Sequence, residues 1–178
     1  MATTVLSGIG YDVHAFAEGR PLVLGGIEIP HSKGLSGHSD ADVLIHAIAD
    51  ALLGTVGAGD IGHLFPNTDE SIRGIDSKDI LRRVVEVLAG KEARIVNVDA
   101  TLIAEAPKIA PHLEKMRATL AECLRLPATR VSVKATTNEG LGFVGRAEGI
   151  AAMAVASVAM DEARLDPETA PPVPVTGL

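Results

Sequence analysis

The stretch GIGYDVHAF, residues 8–16, decides the fold class because it alternates with the period of a β-strand. Successive side chains of a strand point to opposite faces, so Asp12 and His14 project from the same face, about 7 Å apart along the backbone. Such a pair suits a metal site, a buried polar pair or a strand with no special role. The residues of this stretch alone leave all three alternatives open.

The elements around this strand indicate an α/β protein. Residues 21–24 and 27–29 are short apolar runs separated by Gly25 and Gly26, which is the pattern of a two-residue β-hairpin. The stretch SDADVLIHAIADALLG, residues 39–54, changes to a helical period. Ser39 is the predicted cap of this helix and Gly54 its predicted end.

Further helices and strands follow along the chain. Apolar periodicity predicts helices over 77–88, with Gly90 as the stop, and over 111–124, and strands over 94–104 and 130–136. The stretch GIAAMAVASVAMDEA, residues 149–163, stays ambiguous, because its alanines favour a helix whereas its Ile, Met and Val residues also suit a strand buried on both faces. Residues 164–178 are rich in proline and are predicted to form a tail outside a single domain of residues 1–163.

The composition of the 178-residue chain excludes several classes of function. A net charge of −7 and the scarcity of aromatic residues argue against binding of nucleic acid. The single cysteine, Cys123, excludes an intramolecular disulfide and a cysteine-rich zinc cage, so His, Asp and Glu are the candidate metal ligands. With neither an export signal nor an uncharged apolar stretch of about 18 residues, the sequence predicts a cytoplasmic protein that does not span a membrane.

A histidine of the first predicted helix is a candidate third ligand. His46 has Asp42 and Asp50 one turn to either side, and a single helical histidine is more often a surface or core residue than a ligand. Together with Asp12 and His14, however, it would complete a three-ligand zinc site with an open fourth position, as catalysis requires. A buried polar cluster is the alternative.

Two later loops have the composition of binding segments. KATTNEGLGFVGR, residues 134–146, follows a predicted strand and offers hydroxyl, backbone and arginine donors that can surround a phosphate. GDIGHLFPNTD, residues 59–69, is a polar loop with two aspartates. The alternatives are a glycine-rich turn with a surface arginine and a simple connection.

Five stretches in order closely resemble the 2-C-methyl-D-erythritol 2,4-cyclodiphosphate synthases: GYDVHAF, GHSDADVLIHAIADALLG, GDIGHLFPNTD, AEAPKIAPH and KATTNEGLGFVGRAEGIAAMAVA. The resemblance covers about residues 8–160. It implies a phosphorus-oxygen lyase of the non-mevalonate isoprenoid pathway, with 4-diphosphocytidyl-2-C-methyl-D-erythritol 2-phosphate as substrate. The 2-phosphate would attack the β-phosphorus, closing a cyclic diphosphate and expelling CMP, without a covalent protein nucleophile.

The resemblance also implies two metal sites. Asp12, His14 and His46 would hold Zn²⁺ or another divalent ion, and a β-phosphate oxygen of the substrate would take the fourth position. Glu139 would help to hold a second divalent ion, Mg²⁺ or Mn²⁺, bridging the α- and β-phosphates.

Further residues match catalytic and substrate-binding positions of the family. His38 and Thr137 match positions that orient phosphate and stabilise the transition state. Residues 60–62 and 65–69 match loops around the methylerythritol part, and residues 104–110 match the cytidine pocket. The matched substrate positions are Ser39, Asp60, Ile61, Gly62, Phe65, Pro66, Asn67, Thr68, Asp69, Ala104, Glu105, Ala106, Pro107, Lys108, Ile109, Ala110, Thr136, Asn138, Phe143 and Arg146. Asn138 stands where the family has a third threonine.

For the fold, the resemblance implies a mixed sheet with helices on one face. Three subunits would pack their sheets around a threefold axis with the active sites between neighbours, and residues 149–160 would be a strand. Phe143, Arg146 and Glu148 would lie near a central cavity, where Arg146 would bind the diphosphate of an isoprenoid-like ligand. Apart from the resemblance, the lack of a transit peptide favours a bacterial cytoplasm over a plastid.

Two other functions fit the same residues. A metal-dependent phosphohydrolase would activate water on the open zinc site and release free phosphate. A metal-stabilised trimer without activity would hold zinc in a closed site and leave the nucleotide substrate unconverted.

Overall fold

A five-stranded mixed sheet forms the centre of the computed structural model, which describes residues 2–66 and 73–165. The strands are β1 (Thr3–Ala17), β2 (Leu22–Leu24), β3 (Ile27–Ile29), β4 (Gly34–Leu35), β5 (Arg94–Ile103), β6 (Val131–Thr136) and β7 (Gly149–Asp161). The helices are α1 (Val43–Thr55), α2 (Ile61–Leu64), α3 (Ser77–Gly90), α4 (Leu113–Leu124) and α5 (Gly142–Gly145).

The strands of the main sheet lie in the order β4-β1-β7-β5-β6. Pairing is antiparallel between β1 and β7 and between β7 and β5, and parallel between β5 and β6. Asp12 lies opposite Ala152, which in turn lies opposite Leu102. The carboxyl ends of β1, β5 and β6 therefore meet at one end of the sheet. The predicted mixed sheet is confirmed, and β2 and β3 form the predicted hairpin separately.

Strand β7 resolves the ambiguous alanine-rich stretch. Ile150, Ala152, Ala154 and Ala156 alternate along it and are all buried under α1. The small alanines allow the helix to approach the sheet, and this tertiary packing overrides their preference for a helix. The strand implied by the family resemblance is therefore confirmed.

Two glycines of β1 bring α1 close to the sheet. A Cβ atom built on Gly8 would lie 2.1 Å from the Ala51 carbonyl oxygen, so only glycine fits there, and Gly10 is in the same situation one pleat further. The backbone of α1 lies directly on β1 as a result. This contact positions His46, on α1, over the strand that carries Asp12.

The capping of α1 differs from the prediction. Asp42, not Ser39, caps the helix, and its Oδ1 accepts hydrogen bonds from the backbone N–H groups of Leu44 and Ile45, each at 3.1 Å. Asp42 also accepts from the N–H groups of Gly25 and Gly26, at 2.9 and 2.6 Å. The same carboxylate therefore attaches the β2–β3 turn to the helix, a long-range role that no local pattern indicates.

Three other helix boundaries shift by one or two residues. Helix α1 ends at Thr55 rather than Gly54, and α3 includes Gly90, where the sequence predicts a stop. Before α4, Ala110–His112 form a 3-10 turn, so the α-helix begins at Leu113 rather than Pro111.

The face of the sheet away from α1 is open and apolar. Ile9 is 66% exposed and Tyr11 52% on β1, and Met153 and Val155 of β7 are 45% and 47% exposed. Ile9 lies opposite Val155, and Tyr11 opposite Met153, so these side chains form one continuous patch. In the described part of the chain, no helix is long and apolar enough to cross a membrane.

Candidate metal and active site

Strand β1 and helix α1 bring three side chains together in the predicted way. Asp12 Oδ2 lies 2.9 Å from His14 Nε2 and 2.9 Å from His46 Nδ1, and the two nitrogens are 3.2 Å apart. Within residues 2–66 and 73–165, this is the one group of three His, Cys, Asp or Glu side chains whose ligand atoms converge. The convergence of Asp12, His14 and His46 is confirmed.

The geometry of this group fits a divalent metal ion. Bonds of about 2.0–2.1 Å to a tetrahedral zinc ion separate the ligand atoms by about 3.3 Å, close to the separations found here. Two imidazole nitrogens and one carboxylate oxygen make a donor set that zinc accepts, and three protein ligands leave one position open.

The electrostatics of the site favour the charged forms of Asp12 and His14. Burial alone would raise the pKa of Asp12, but hydrogen bonds and charge interactions with His14 and His46 outweigh it and hold that pKa below its ordinary value. Burial likewise opposes the charged form of His14, but the hydrogen bond to Asp12 raises its pKa above the ordinary value.

Each histidine is held through its other ring nitrogen. His14 Nδ1 lies 2.5 Å from the carbonyl oxygen of Ser36, which can only accept, so Nδ1 carries the hydrogen and Nε2 faces Asp12. His46 Nε2 lies 3.1 Å from the hydroxyl oxygens of both Ser39 and Ser77. Contacts of this kind fix the orientation of a metal-binding imidazole.

A cavity of about 280 Å³ opens beside the group. The predicted residues that line it are Asp12, His14, His38, Ser39, His46, Ile61, Gly62 and Phe65. The sequence reasoning missed three further lining residues, Gly37, Ile75 and Ile80. Asp12, His14 and His46, which together form a metal-type group, therefore face a space that can receive part of a small molecule.

The loop that carries His38 is held by Arg20. Its guanidinium donates to the carbonyl oxygen of Gly37 at 2.5 Å and to that of Ser39, the two residues that flank His38. Because both neighbours are fixed, the exposed His38 side chain projects from a rigid backbone at the cavity wall. Neither a motif nor a periodicity identifies this role of Arg20.

Asp60 begins the short helix α2 beside the cavity. It caps the helix through a bond from the N–H of His63, and its Oδ1 lies 2.9 Å from the His63 imidazole. The imidazole of His63 lowers the pKa of Asp60. Pro66 is described and exposed, whereas the predicted contacts Asn67, Thr68 and Asp69 lie outside the described residues.

Residues 104–110 and 136–139, which are also predicted site residues, form a second group at the ends of β5 and β6. Residues 104–110 follow β5, and residues 136–139 end β6 and continue into the next loop. Because β5 and β6 are parallel, these loops leave the sheet side by side. Neither loop lines the 280 Å³ cavity. Thr136, Thr137, Asn138 and Glu139 are exposed.

Glu105 connects the two loops of this second group. Its Oε1 accepts hydrogen bonds from the N–H groups of Asn138, at 2.8 Å, and Gly140, at 3.2 Å. Between them, Glu139 has a φ of 52°, a left-handed conformation that a non-glycine residue rarely adopts. The Thr137 hydroxyl donates to Glu139 Oε1 at 3.2 Å. Glu105 therefore holds the segment that presents Thr137 and Glu139.

Phe143 and Arg146 lie on and just after the short helix α5. Phe143 is 44% exposed. Arg146 Nε donates to Glu148 at 2.7 Å, and this bond raises the pKa of Arg146 and lowers that of Glu148. Both charged side chains are exposed in the single chain.

Comparison with known proteins identifies the family. The model of the YgbB family matches residues 5–159. A 2-C-methyl-D-erythritol 2,4-cyclodiphosphate synthase from Marinobacter nauticus is 60% identical over 148 residues, which cover 83% of this chain and 93% of that protein.

Comparison with solved structures identifies the same family. The CDP-bound form of a 2C-methyl-D-erythritol-2,4-cyclodiphosphate synthase is 38% identical, with a TM-score of 0.79 over 85% of this chain and 99% of that one. The bifunctional IspDF from Campylobacter jejuni is also 38% identical, with a TM-score of 0.86 over 90% of this chain. This chain spans 43% of that longer protein. With its fold, its metal-type group and these relatives, the chain belongs to the YgbB family, that of the 2-C-methyl-D-erythritol 2,4-cyclodiphosphate synthases.

Proposed function

We propose that this enzyme converts 4-diphosphocytidyl-2-C-methyl-D-erythritol 2-phosphate into 2-C-methyl-D-erythritol 2,4-cyclodiphosphate and CMP. The observation that carries the proposal is the convergence of Asp12, His14 and His46 at the wall of a cavity, in a chain whose relatives bear the name of this activity over most of its length. The reaction belongs to non-mevalonate isoprenoid biosynthesis.

The proposed chemistry is an intramolecular phosphoryl transfer. An oxygen of the 2-phosphate forms a bond to the β-phosphorus, the bond from that phosphorus to the bridging oxygen breaks, and CMP leaves with the bridging oxygen. The protein has to fold a flexible substrate so that these atoms lie in line, and has to neutralise charge on the transferring group. Neither task needs a covalent nucleophile of the protein.

The proposed metal roles rest on the family resemblance and are compatible with the donor atoms present. Asp12, His14 and His46 are proposed to hold Zn²⁺, which supplies a positive charge that polarises a phosphate oxygen of the substrate. Glu139 is proposed to help hold Mg²⁺ or Mn²⁺ at the diphosphate. Its carboxylate is exposed and accepts a hydrogen bond from Thr137 through Oε1, and carboxylate oxygens suit that hard cation.

Two polar side chains are proposed to orient the reacting phosphates. His38 projects from the loop fixed by Arg20, beside the metal-type group. Thr137 lies in the segment held by Glu105. Fixed donors of this kind stabilise developing charge better than mobile ones, because they need no reorganisation during the reaction.

Substrate recognition is proposed to divide between the two groups of residues. Ser39, residues 60–62 and residues 65–69 would contact the methylerythritol part. Residues 104–110, with Lys108 near phosphate, and Thr136 and Asn138 would receive the cytidine diphosphate part. The related structure with bound CDP supports a nucleotide site in this family.

A homotrimer with active sites between subunits accounts for the separation of the two groups. Asp12 of β1 lies opposite Ala152 of β7, and Ala152 lies opposite Leu102 of β5. Leu102 in turn lies opposite Ala135 of β6. Three strand spacings, about 14 Å, therefore separate the metal-type group from β6. In a ring of three chains, the second group of one subunit would meet the cavity of its neighbour. The open apolar face of the sheet supports such packing.

The trimer axis is proposed to enclose a cavity for an isoprenoid diphosphate. Phe143 would contact the apolar chain and Arg146, beside Glu148, would bind the diphosphate. If Arg146→Ala left binding of such a lipid unchanged, this part of the proposal would fall. A cytoplasmic location completes the proposal, since the buried free thiol of Cys123 suits a reducing compartment.

The decisive experiment incubates the purified protein, Zn²⁺ and Mg²⁺ with the diphosphocytidyl substrate. We expect CMP by chromatography and a cyclic diphosphate by ³¹P NMR, in equal amounts. Release of free phosphate would indicate a phosphohydrolase instead. Intact substrate would contradict the proposed activity and leave a structural role for the metal site.

A further inference from the structure

A buried polar chain continues from His46 away from the cavity. The Ser77 hydroxyl lies 3.1 Å from His46 Nε2 and hydrogen-bonds on its other side to Asp40 Oδ1. The backbone N–H of Ser77 donates to Asp40 Oδ2 at 3.0 Å. Ser77 is completely buried as the first residue of α3, and Asp40 lies in the loop before α1. Three separate segments therefore meet behind the metal-type group.

The chemistry of this chain fixes the direction of its hydrogen bonds. A serine hydroxyl has one hydrogen, and the carboxylate of Asp40 can only accept, so Ser77 gives its hydrogen to Asp40. Towards His46, Ser77 can then only accept. The hydrogen between the two residues must belong to His46 Nε2, and in the neutral imidazole, which is the form that binds a metal, this leaves a lone pair on Nδ1.

That lone pair points to the metal-type group. His46 Nδ1 lies 2.9 Å from Asp12 Oδ2 and 3.2 Å from His14 Nε2. With the opposite tautomer, Nδ1 would carry a hydrogen, donate it to Asp12 and be unable to bind a cation. The direction of the Ser77 hydrogen bond therefore favours the tautomer in which His46 can serve as a ligand.

The second hydroxyl near His46, that of Ser39, does not fix the tautomer of the imidazole. Ser39 Oγ also lies 3.1 Å from Nε2, and it accepts a hydrogen bond from the N–H of Ala41 at 3.0 Å. No carboxylate binds the hydrogen of Ser39 among the contacts of the described residues, so this hydroxyl can donate to Nε2 or accept from it. Only Ser77 has its direction fixed by a charge.

We propose that Asp40 and Ser77 are positioning residues that hold His46 in the metal-binding tautomer and orientation. The proposal rests on the metal role of Asp12, His14 and His46. It adds a side-chain relay to that site: Asp40 orients Ser77, and Ser77 orients His46. Outer partners of this kind typically contribute about 10–100-fold to metal affinity.

The test compares zinc binding by the full chain and its Ser77→Ala variant. After removal of metal, the dissociation constant for Zn²⁺ is measured by competition with a chromophoric chelator. We expect S77A to bind Zn²⁺ about 10–100-fold more weakly than the unchanged chain. Ser32→Ala, which changes an exposed serine of the β3–β4 loop, is the matched control and should bind normally.

A second readout separates positioning from general loosening of the fold. Long-range ¹H–¹⁵N spectra of the metal-free protein at about pH 8.5, where an ordinary histidine is neutral, report which His46 nitrogen carries the hydrogen. The unchanged chain should show it on Nε2, and S77A should shift the population towards Nδ1. A structural role alone would change the melting temperature and leave the tautomer in place.

Two results would overturn the proposal. One is a zinc dissociation constant of S77A within about twofold of the control, and the other is an unchanged tautomer. If S77A fails to fold, Asp40→Asn takes its place, because it keeps the side-chain volume and should shift both readouts in the same direction. No substrate is needed, so a protein that released no CMP would contradict the proposed function without affecting this test.

Discussion

Gly10 lies against Ala47 so closely that a Cβ atom on Gly10 would be 1.9 Å from the Ala47 carbonyl oxygen. Ala47 follows His46 on α1, and Asp12 lies one pleat beyond Gly10 on β1. The contact between the two backbones therefore sets the distance between two of the three candidate ligands.

Gly10→Ala should damage both stability and metal binding. The added methyl group meets backbone atoms that cannot rotate away, so α1 has to move off the sheet, at a cost of about 3 kcal/mol in the free energy of unfolding. That movement also separates His46 from Asp12. We expect a lower melting temperature and weaker zinc binding, measured by thermal unfolding and chelator competition. Gly90→Ala is the control, since a Cβ atom there meets nothing within 4 Å. An equal effect of both changes would contradict the close-packing argument.

His46→Ala should abolish turnover while the fold persists. The substitution removes one of three ligands, so zinc binding and CMP release should both fall to background, and the far-UV circular dichroism spectrum should stay unchanged. His112→Ala, at the start of α4, should retain full activity. Complete unfolding of H46A would indicate that this histidine is mainly a structural core residue.

Stability of the metal-free protein should depend on pH through Asp12 and His14. The pKa of Asp12 is lowered, so its contribution is present above its unfolded value of 3.8 and is lost as the pH falls through the folded pKa. The pKa of His14 is raised, so its contribution is complete below its unfolded value of 6.5 and is lost as the pH rises through the folded pKa. The pair therefore stabilises the fold most between these two values.

Two measurements check this dependence. The difference in melting temperature between the unchanged chain and Asp12→Asn should be largest near pH 5 and should decrease on both sides. Zinc binding displaces the proton of His14, so zinc affinity should rise with pH above 6.5 until that proton is lost. A flat difference and a pH-independent affinity would show that these charges do not interact in solution.

Glu105→Ala should lower activity with little effect on stability. It removes the acceptor of two backbone N–H groups that flank Glu139, so the left-handed conformation of Glu139 loses its support. We expect kcat/KM to fall about tenfold, the size of one hydrogen bond to a charged group. Glu105→Gln keeps an oxygen in the same place and should retain most of the activity. If E105Q and E105A were equally impaired, the charge itself, rather than the loop contact, would be responsible.

Ile9→Glu should dissociate the proposed trimer. Ile9 lies at the centre of the open apolar face, opposite Val155, and a buried carboxylate there would have no partner. Sedimentation velocity should show trimers for the unchanged chain and monomers for I9E, with CMP release lost in parallel. Glu86→Lys reverses a charge on the exposed face of α3 and should leave the trimer intact. A monomeric unchanged chain would contradict the intersubunit site.

Much of the fold can be predicted from the sequence because the signals are local. The alternation of residues 8–16, the Gly25–Gly26 turn and the helical period of residues 39–54 need only neighbouring residues. The strand and the turn are confirmed, and the helix is confirmed with a later start, at Val43. The residues of 149–161 do not decide between helix and strand, because that choice depends on the space beneath α1. Only tertiary packing selects the strand.

The candidate site can likewise be predicted in part from local patterns, while the rest depends on tertiary packing. The strand period places Asp12 and His14 together, but the approach of His46 depends on how closely α1 packs on β1. The contacts of Ser77, Arg20 and Glu105 join segments that are distant in sequence, and a single chain carries no local signal for them. The family resemblance indicates which residues belong to the site, but it does not show which contacts position their side chains.

The pairing of β1 with β7 has a consequence for the order in which the molecule forms during synthesis. All three candidate ligands lie within the first 46 residues, yet β1 pairs with β7 from Thr3 to Ala15, and α1 rests on both strands. Contacts between such distant parts of a chain form late and slowly. A ribosome-bound chain that has not released β7 therefore lacks the strand on which β1 and α1 pack, and the support of its metal ligands is incomplete. The site is completed only once β7 has been made, although the ligands lie far ahead of that strand in the sequence.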